Sequence, residues 1–198
     1  MTRIVLTGSE STGKTTLAGE LAEHYGAELV PEFVREFAAR KGASIAFDDH
    51  GAIARGQMAL EDLRIARGRP MIVQDTDLLS TVVYCAHYFD RCPSWIEEAA
   101  AARRPDLYLL CDIDIPWIDD GIRDREHARD EIQGLFRAAL DAAAVPTVVI
   151  HGTAAERFRH AVAAIDAMLS RPVNVQAAQR ATEHDANSQK QHDGHQSE

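Results

Sequence analysis

A chain of 198 residues with 45% hydrophobic side chains is long enough to bury one good core and too short for two. Its formal charge of -10, from 31 acidic against 21 basic residues, repels a phosphate backbone and argues against a nucleic-acid partner. No apolar run reaches the length of a membrane span, and the opening Met1-Thr2-Arg3-Ile4-Val5-Leu6 is too short for a signal peptide, so a cytoplasmic location without membrane contact is expected.

The first predicted element is a buried strand over Arg3–Thr7. It runs into Gly8-Ser9-Glu10-Ser11-Thr12-Gly13-Lys14-Thr15-Thr16, which matches G-x-x-x-x-G-K-[ST] at every fixed position. A helix follows, with Leu17, Leu21 and Tyr25 on one face. Strand, loop and helix in that order cradle phosphate: glycines turn successive N–H groups inward, and the positive helix end adds to the field. Lys14 is expected to meet the β- and γ-phosphates of ATP, and Thr15 to ligate Mg²⁺.

A second strand is predicted over Ala27–Pro31, ending in Pro31-Glu32-Phe33-Val34-Arg35-Glu36. Glu32 and Arg35, three apart, share a helix face or a loop edge. They are either a surface ion pair worth under about 1 kcal/mol or groups that hold an acceptor hydroxyl and a phosphate. The third strand, Met71–Asp75, places Asp75 at its end, where a phosphate loop needs a carboxylate for the metal or for proton transfer. Asp77, two residues on, either caps the next helix or contacts substrate. The catalytic base is Asp75 or Glu32.

The fourth strand, Leu107–Cys111, leads through Ile115-Pro116-Trp117-Ile118 to Asp119-Asp120-Gly121-Ile122-Arg123-Asp124-Arg125-Glu126-His127-Ala128-Arg129. Positive charge collects here in Arg123, Arg125 and Arg129. A closing lid brings such arginines to the γ-phosphate, Arg123 being the first candidate, whereas a salt-bridged helix start is the plainer alternative. Trp117 either packs or stacks on an aromatic ligand. A fifth strand, Thr147–Ile150, precedes a helix with Phe158, Val162, Ile165 and Leu169 on one stripe. Five parallel strands with crossover helices make a doubly wound, three-layer α/β domain over 1–170, its ligand beyond the C-terminal strand ends. From Arg171 to Glu198 almost no large apolar residue remains after Val175, so a disordered polar tail is expected. Cys85, Cys92 and Cys111 are odd in number and suit free thiols; with His87 they lack zinc-type spacing.

Together these residues resemble a family. Gly-x-Glu-Ser-x-Gly-Lys in the loop, Glu-x-x-Arg-Glu from Glu32 to Glu36, Asp-Thr-Asp from Asp75 to Asp77, and Pro116-Trp117-Ile118-Asp119-Asp120-Gly121-Ile122-Arg123 look like the ribosylnicotinamide kinase domain of NadR-type proteins and their stand-alone relatives. The resemblance covers about Met1 to Ser170 and implies a P-loop NTPase fold of the nucleoside-kinase kind. It implies transfer of the γ-phosphate of ATP, with Mg²⁺, to the 5′-hydroxyl of nicotinamide riboside, giving nicotinamide mononucleotide. It also implies that Lys14, Asp75, Glu32 and Arg123 carry catalysis. Arg125 would join the loop on ATP, while Glu32, Arg35, Asp77, Trp117 and Asp120 would line the acceptor site, Trp117 as a wall for nicotinamide. Longer members carry an adenylyltransferase with a His-x-Gly-His signature and a DNA-binding segment ahead of the kinase. This chain starts almost at the phosphate loop, so neither activity is expected of it. A kinase for another nucleoside or small hydroxyl compound, and an ATPase acting as a nucleotide-dependent binding module, are the competing readings.

Overall fold

Ile4, Val5 and Leu6 are each fully buried, so the first strand is covered on both faces and belongs at the centre of its sheet. The computed structural model describes residues 1–115 and 128–170. In it β1 (Thr2–Thr7) is flanked by β3 (Met71–Asp75) and β4 (Leu107–Cys111), with β2 (Glu28–Val30) and β5 (Thr147–Ile150) outermost. All four pairings are parallel and the order is β2-β3-β1-β4-β5. The chain thus fills one side of β1 and then crosses to the other, which opens a crevice at the C-terminal end of β1. Three strands match their predicted bounds; β1 begins one residue earlier, and β2 is shorter than Ala27–Pro31.

Helices complete the layers: α1 (Lys14–Tyr25), α2 (Phe33–Lys41), α3 (His50–Ile65), α4 (Leu78–Phe89), α5 (Ser94–Ala102), α6 (Arg129–Ala143) and α7 (Ala154–Leu169), with a 3₁₀ turn at Phe47–Asp49. On one face Val5, Tyr108 and Leu110 of the sheet pack with Val83 of α4 and Ile132, Phe136 and Leu140 of α6. Beside them Ala54, Leu78 and Ile96 join α3, α4 and α5. α1 lies on β1 and β3 through Leu17 and Leu21, and the Tyr25 hydroxyl donates to Asp166 (2.8 Å), tying α1 to α7.

The α7 stripe differs from expectation. Its buried line is Arg157, Ala161 and Ile165, spaced by four, while Leu169 is 48% exposed. Phe158 and Val162 are only half-buried, because the helix is rotated to bring an arginine inward. Among the described residues no helix is long and apolar enough to cross a membrane. Residues 1–166 make one compact unit; of the second, 167–198, residues 167–170 are described, helical to Leu169. Arg171–Glu198, expected as a disordered tail, lies outside the described residues.

Candidate active site

Parallel register sets the height of every strand end. Leu6 lies opposite Asp75, and the Thr76 N–H donates to the Leu6 carbonyl (3.0 Å), so the loop after β1 rises beside the end of β3. The loop's glycines are there for space and conformation. Gly8 has φ +122°, and a Cβ on it would stand 2.7 Å from the Cys111 carbonyl oxygen. Gly13 is left-handed at the N-cap of α1 and supplies no side-chain cap, so the first N–H groups of that helix face the loop's hollow uncapped.

Side chains from distant elements tie down the loop's backbone. Gln133 of α6 accepts from Ser9 N–H (2.9 Å) and donates to Cys111 O (3.1 Å). Arg129 donates to Ser11 O (3.3 Å) and to Ile115 O. Arg157 donates to Thr12 O, Gly152 O and Asp112 O, each at 2.9 Å, and pairs with Asp114. Lys14, only 6% exposed, arches back over the loop, its Nζ donating to Gly8 O (3.0 Å) and Ser9 O (2.6 Å). Three cations therefore converge on one loop in an acidic chain, an arrangement that attracts a polyanion. Arg129 is also nine-tenths buried and its Nε has no hydrogen-bond partner.

Opposite the loop stand the carboxylates. Asp75 is 2% exposed; its Oδ2 accepts from the Thr15 hydroxyl (2.6 Å), and its buried Oδ1 has no partner. Burial, and then the Glu32 charge, push Asp75 above the usual carboxylate range, with the Thr15 hydroxyl, Lys14 and Arg35 pulling the other way. An unpartnered oxygen beside a hydroxyl at a phosphate loop fits a small, hard cation. Among the described residues no three His, Cys, Asp or Glu side chains gather as a metal cage, and Mg²⁺ takes few protein ligands beside phosphate and water. Glu32 is not a surface residue: its side chain is 7% exposed and its Oε2 accepts from Arg35 Nε at 2.7 Å.

The structure thus brings Lys14, Thr15, Glu32, Arg35 and Asp75 together at one end of the sheet, with Gly8, Ser9, Glu10, Ser11, Thr12, Gly13 and Thr16 forming the loop and helix start. Asp77 is placed differently. Its Oδ1 accepts from Leu79 N–H (3.1 Å) as the cap of α4, and its Oδ2 accepts from the Tyr108 hydroxyl (2.6 Å). Desolvation raises it to about 6 despite those bonds. Both oxygens are engaged within the fold, which favours the capping alternative over a substrate contact. Thr76 makes the separation possible: its left-handed φ of 67° turns the chain sharply between two carboxylates that point to different places. Trp117, Asp120, Arg123 and Arg125 lie outside the described residues. Gln133 and Arg157 were not among the expected site residues. An arginine on the inward line of α7 is a signal that a hydropathy stripe discards; Gln133 gives none.

A groove between α1 and α7 is lined by Glu20, Glu23, His24, Ala154, Ala155 and Phe158. Its carboxylates oppose phosphate, and it takes no part in the site.

Several known proteins are similar to this chain. The NAD biosynthesis/regulator protein NadR of Escherichia coli (strain K12), named as trifunctional, is 28% identical over 144 residues, which is 70% of this chain and 35% of that protein. The Salmonella typhimurium protein of the same name is 28% identical over 124 residues, 61% of this chain and 30% of its own length. The chain thus spans about a third of the length of the curated relatives it matches. Among solved structures, NadR in complex with NR superposes with a TM-score of 0.75 at 24% identity, covering 87% of this chain and 53% of that one. A deoxyadenosine kinase from M. mycoides reaches 0.55 at 12% identity, covering 83% and 99%. These likenesses establish the fold as an α/β P-loop NTPase fold. A family model described as an AAA domain matches residues 3–157, from the first strand to the arginine that holds the phosphate loop, and the chain belongs to that AAA domain family, AAA_28.

Proposed function

We propose that the chain is an ATP-dependent kinase that phosphorylates the 5′-hydroxyl of nicotinamide riboside to nicotinamide mononucleotide. One observation carries the reading. A phosphate loop meets carboxylates from two neighbouring strand ends, Asp75 on the Thr15 hydroxyl and Glu32 within electrostatic reach of Asp75. A nucleotide switch needs the first carboxylate; a transferase also needs a group for the acceptor. Further support comes from the relatives. NadR is a NAD biosynthesis protein, one of its structures holds NR, another holds NAD and AMP-PNP, and the deoxyadenosine kinase acts on a nucleoside.

In this reading the loop N–H groups and Lys14 receive the β- and γ-phosphates, exchanging contacts with loop carbonyls for contacts with phosphate oxygens. Arg129 is already packed at Ser11, and the lid arginines Arg123 and Arg125 add positive charge. Thr15 Oγ1 and Asp75 Oδ1 would hold Mg²⁺, which when bound spreads the phosphate charge. Glu32, oriented by Arg35, takes the proton of the acceptor hydroxyl. The hydroxyl oxygen bonds to the γ-phosphorus while the bond from that phosphorus to the ADP oxygen breaks. Asp75, tied to Thr15, serves the metal rather than the acceptor. Trp117 is the proposed wall for the nicotinamide ring, and Asp120 a proposed residue of the acceptor site. Three free cysteines suit a reducing, cytoplasmic compartment.

The test is ADP release with ATP–Mg²⁺ and a panel of nucleosides. Turnover is expected with nicotinamide riboside. Turnover confined to another nucleoside overturns the acceptor, and slow hydrolysis indifferent to any acceptor overturns the kinase.

A further inference from the structure

The β2–α2 corner, which carries Glu32, is held in an unusual way. Glu32 is the N-cap residue of α2, yet its carboxylate makes no capping hydrogen bond and turns to Arg35 instead. A helix start needs acceptors for its first N–H groups, and the cap side chain normally supplies one. Here Gln57, on the neighbouring α3, provides it from outside. Its Oε1 accepts from Phe33 N–H at 2.8 Å, and its Nε2 donates to Pro31 O at 3.3 Å. One buried amide, 5% exposed, thus grips the peptide groups on both sides of Glu32.

The residue before it adds a second constraint. A Cβ on Gly56 would fall 2.1 Å from the Phe33 ring, so only glycine leaves α3 flat enough to seat that ring. α2 has no fully buried residue of its own. We propose that Gly56 and Gln57 are positioning residues for phosphoryl transfer, seating the β2–α2 corner so that the Glu32 carboxylate is held at the end of β2. The surrogate cap has a chemical point: a carboxylate spent on capping is not available to take a proton. The proposal rests on Glu32 being the carboxylate on the acceptor side.

A double-mutant cycle in the nicotinamide riboside kinase assay tests it, with wild type, Glu32→Gln, Gln57→Leu and the double variant. Glu32→Gln is expected to lower kcat about 10²-fold or more, as for loss of a general base. Gln57→Leu is expected to lower kcat at least about 10-fold through misplacement, leaving the KM for ATP within about twofold. Added to Glu32→Gln, Gln57→Leu should cost nothing further, because its effect runs through a group already gone. Gly56→Ala should repeat the kcat loss with the same unchanged KM for ATP. If Gln57→Leu does not fold, Gln57→Met takes its place in the cycle. Additive losses, or a normal kcat for the Gln57 variant beside a slow Glu32→Gln, overturn the positioning role alone. A fully active Glu32→Gln overturns the carboxylate reading beneath it.

Discussion

Replacing Arg157 by Met keeps the length of the side chain and most of its packing but removes every donor. Three carbonyls, those of Thr12, Gly152 and Asp112, lose this donor, and the Asp114 carboxylate keeps its bond from Gly152 N–H. Hydrogen bonds from charged donors are worth about 1.5–3 kcal/mol each. Asp114 is partly exposed and recovers water, so its share is small. Thr12 O is bonded in a buried setting and recovers little. A net loss of about 3–5 kcal/mol follows, mostly from the three carbonyls left without a charged donor. Against a typical domain stability of about 5–15 kcal/mol, a loss near the middle of its range takes about two-fifths of a mid-range total, and such a variant should still fold at room temperature. The melting temperature should fall by on the order of 10 °C. Urea denaturation and titration with a non-hydrolysable ATP analogue, run together, separate two effects. Because Thr12 O is freed to rotate, analogue affinity should drop by more than tenfold at temperatures where the variant is fully folded. Arg157→Lys, able to satisfy one carbonyl, should lie between. A stability change below about 1 kcal/mol, typical of surface substitutions, would refute the assignment of Arg157 as the clamp of the loop.

Other substitutions probe the rest of the site. Lys14→Ala should lower kcat by about 10²–10³-fold, the usual loss for one donor aimed at developing charge, and a kcat within tenfold of wild type would contradict its role. Asp75→Asn keeps the acceptor for Thr15 but not the charge, so the Mg²⁺ midpoint of turnover should rise about tenfold or more, and an unmoved midpoint would count against metal binding there. Asp77, raised from 3.8 to about 6, gives a pH signature of unusual sign. Between those values the folded state holds a proton that the unfolded state has lost. Stability therefore falls as pH rises through that window, and it levels above about 6. Asp77→Asn, which still caps α4, should remove this slope from urea midpoints measured across pH 4 to 7; an unchanged slope would assign it to another group.

Why some of this was legible in the sequence and some was not has physical reasons. Ile4-Val5-Leu6 and Leu107–Cys111 are apolar without interruption because both faces of a central parallel strand are covered, and such runs announce themselves. The phosphate loop is equally plain, since its chemistry is local: the glycines, Lys14 and Thr15 lie within one turn of chain. Asp75 and Glu32 could be placed at strand ends because register turns sequence position into height. What escaped was contact between distant segments. Gln57 is one polar residue on a helix whose buried apolar residues are only Ile53 and Ala54, and nothing near it says that its amide caps a helix beginning at residue 33. Arg157 breaks the apolar stripe of α7, so an apolar reading falls one position too far round at Phe158 and Val162, whereas Ile165 is buried as expected. Asp77 remained divided because capping is a local property, whereas the Tyr108 hydroxyl that occupies its second oxygen comes from a strand thirty-one residues on.

The clamp on Thr12 joins two residues 145 positions apart. On the ribosome that separation becomes an interval of time. A nascent chain has made the whole phosphate loop before its second strand exists, but the cations that hold Ser11 and Thr12 emerge only with α6 and α7. Until then the loop has the residues to grip a nucleotide without the scaffold that aims them. A product truncated ahead of α7 is therefore expected to hold a nucleotide less tightly than the whole domain.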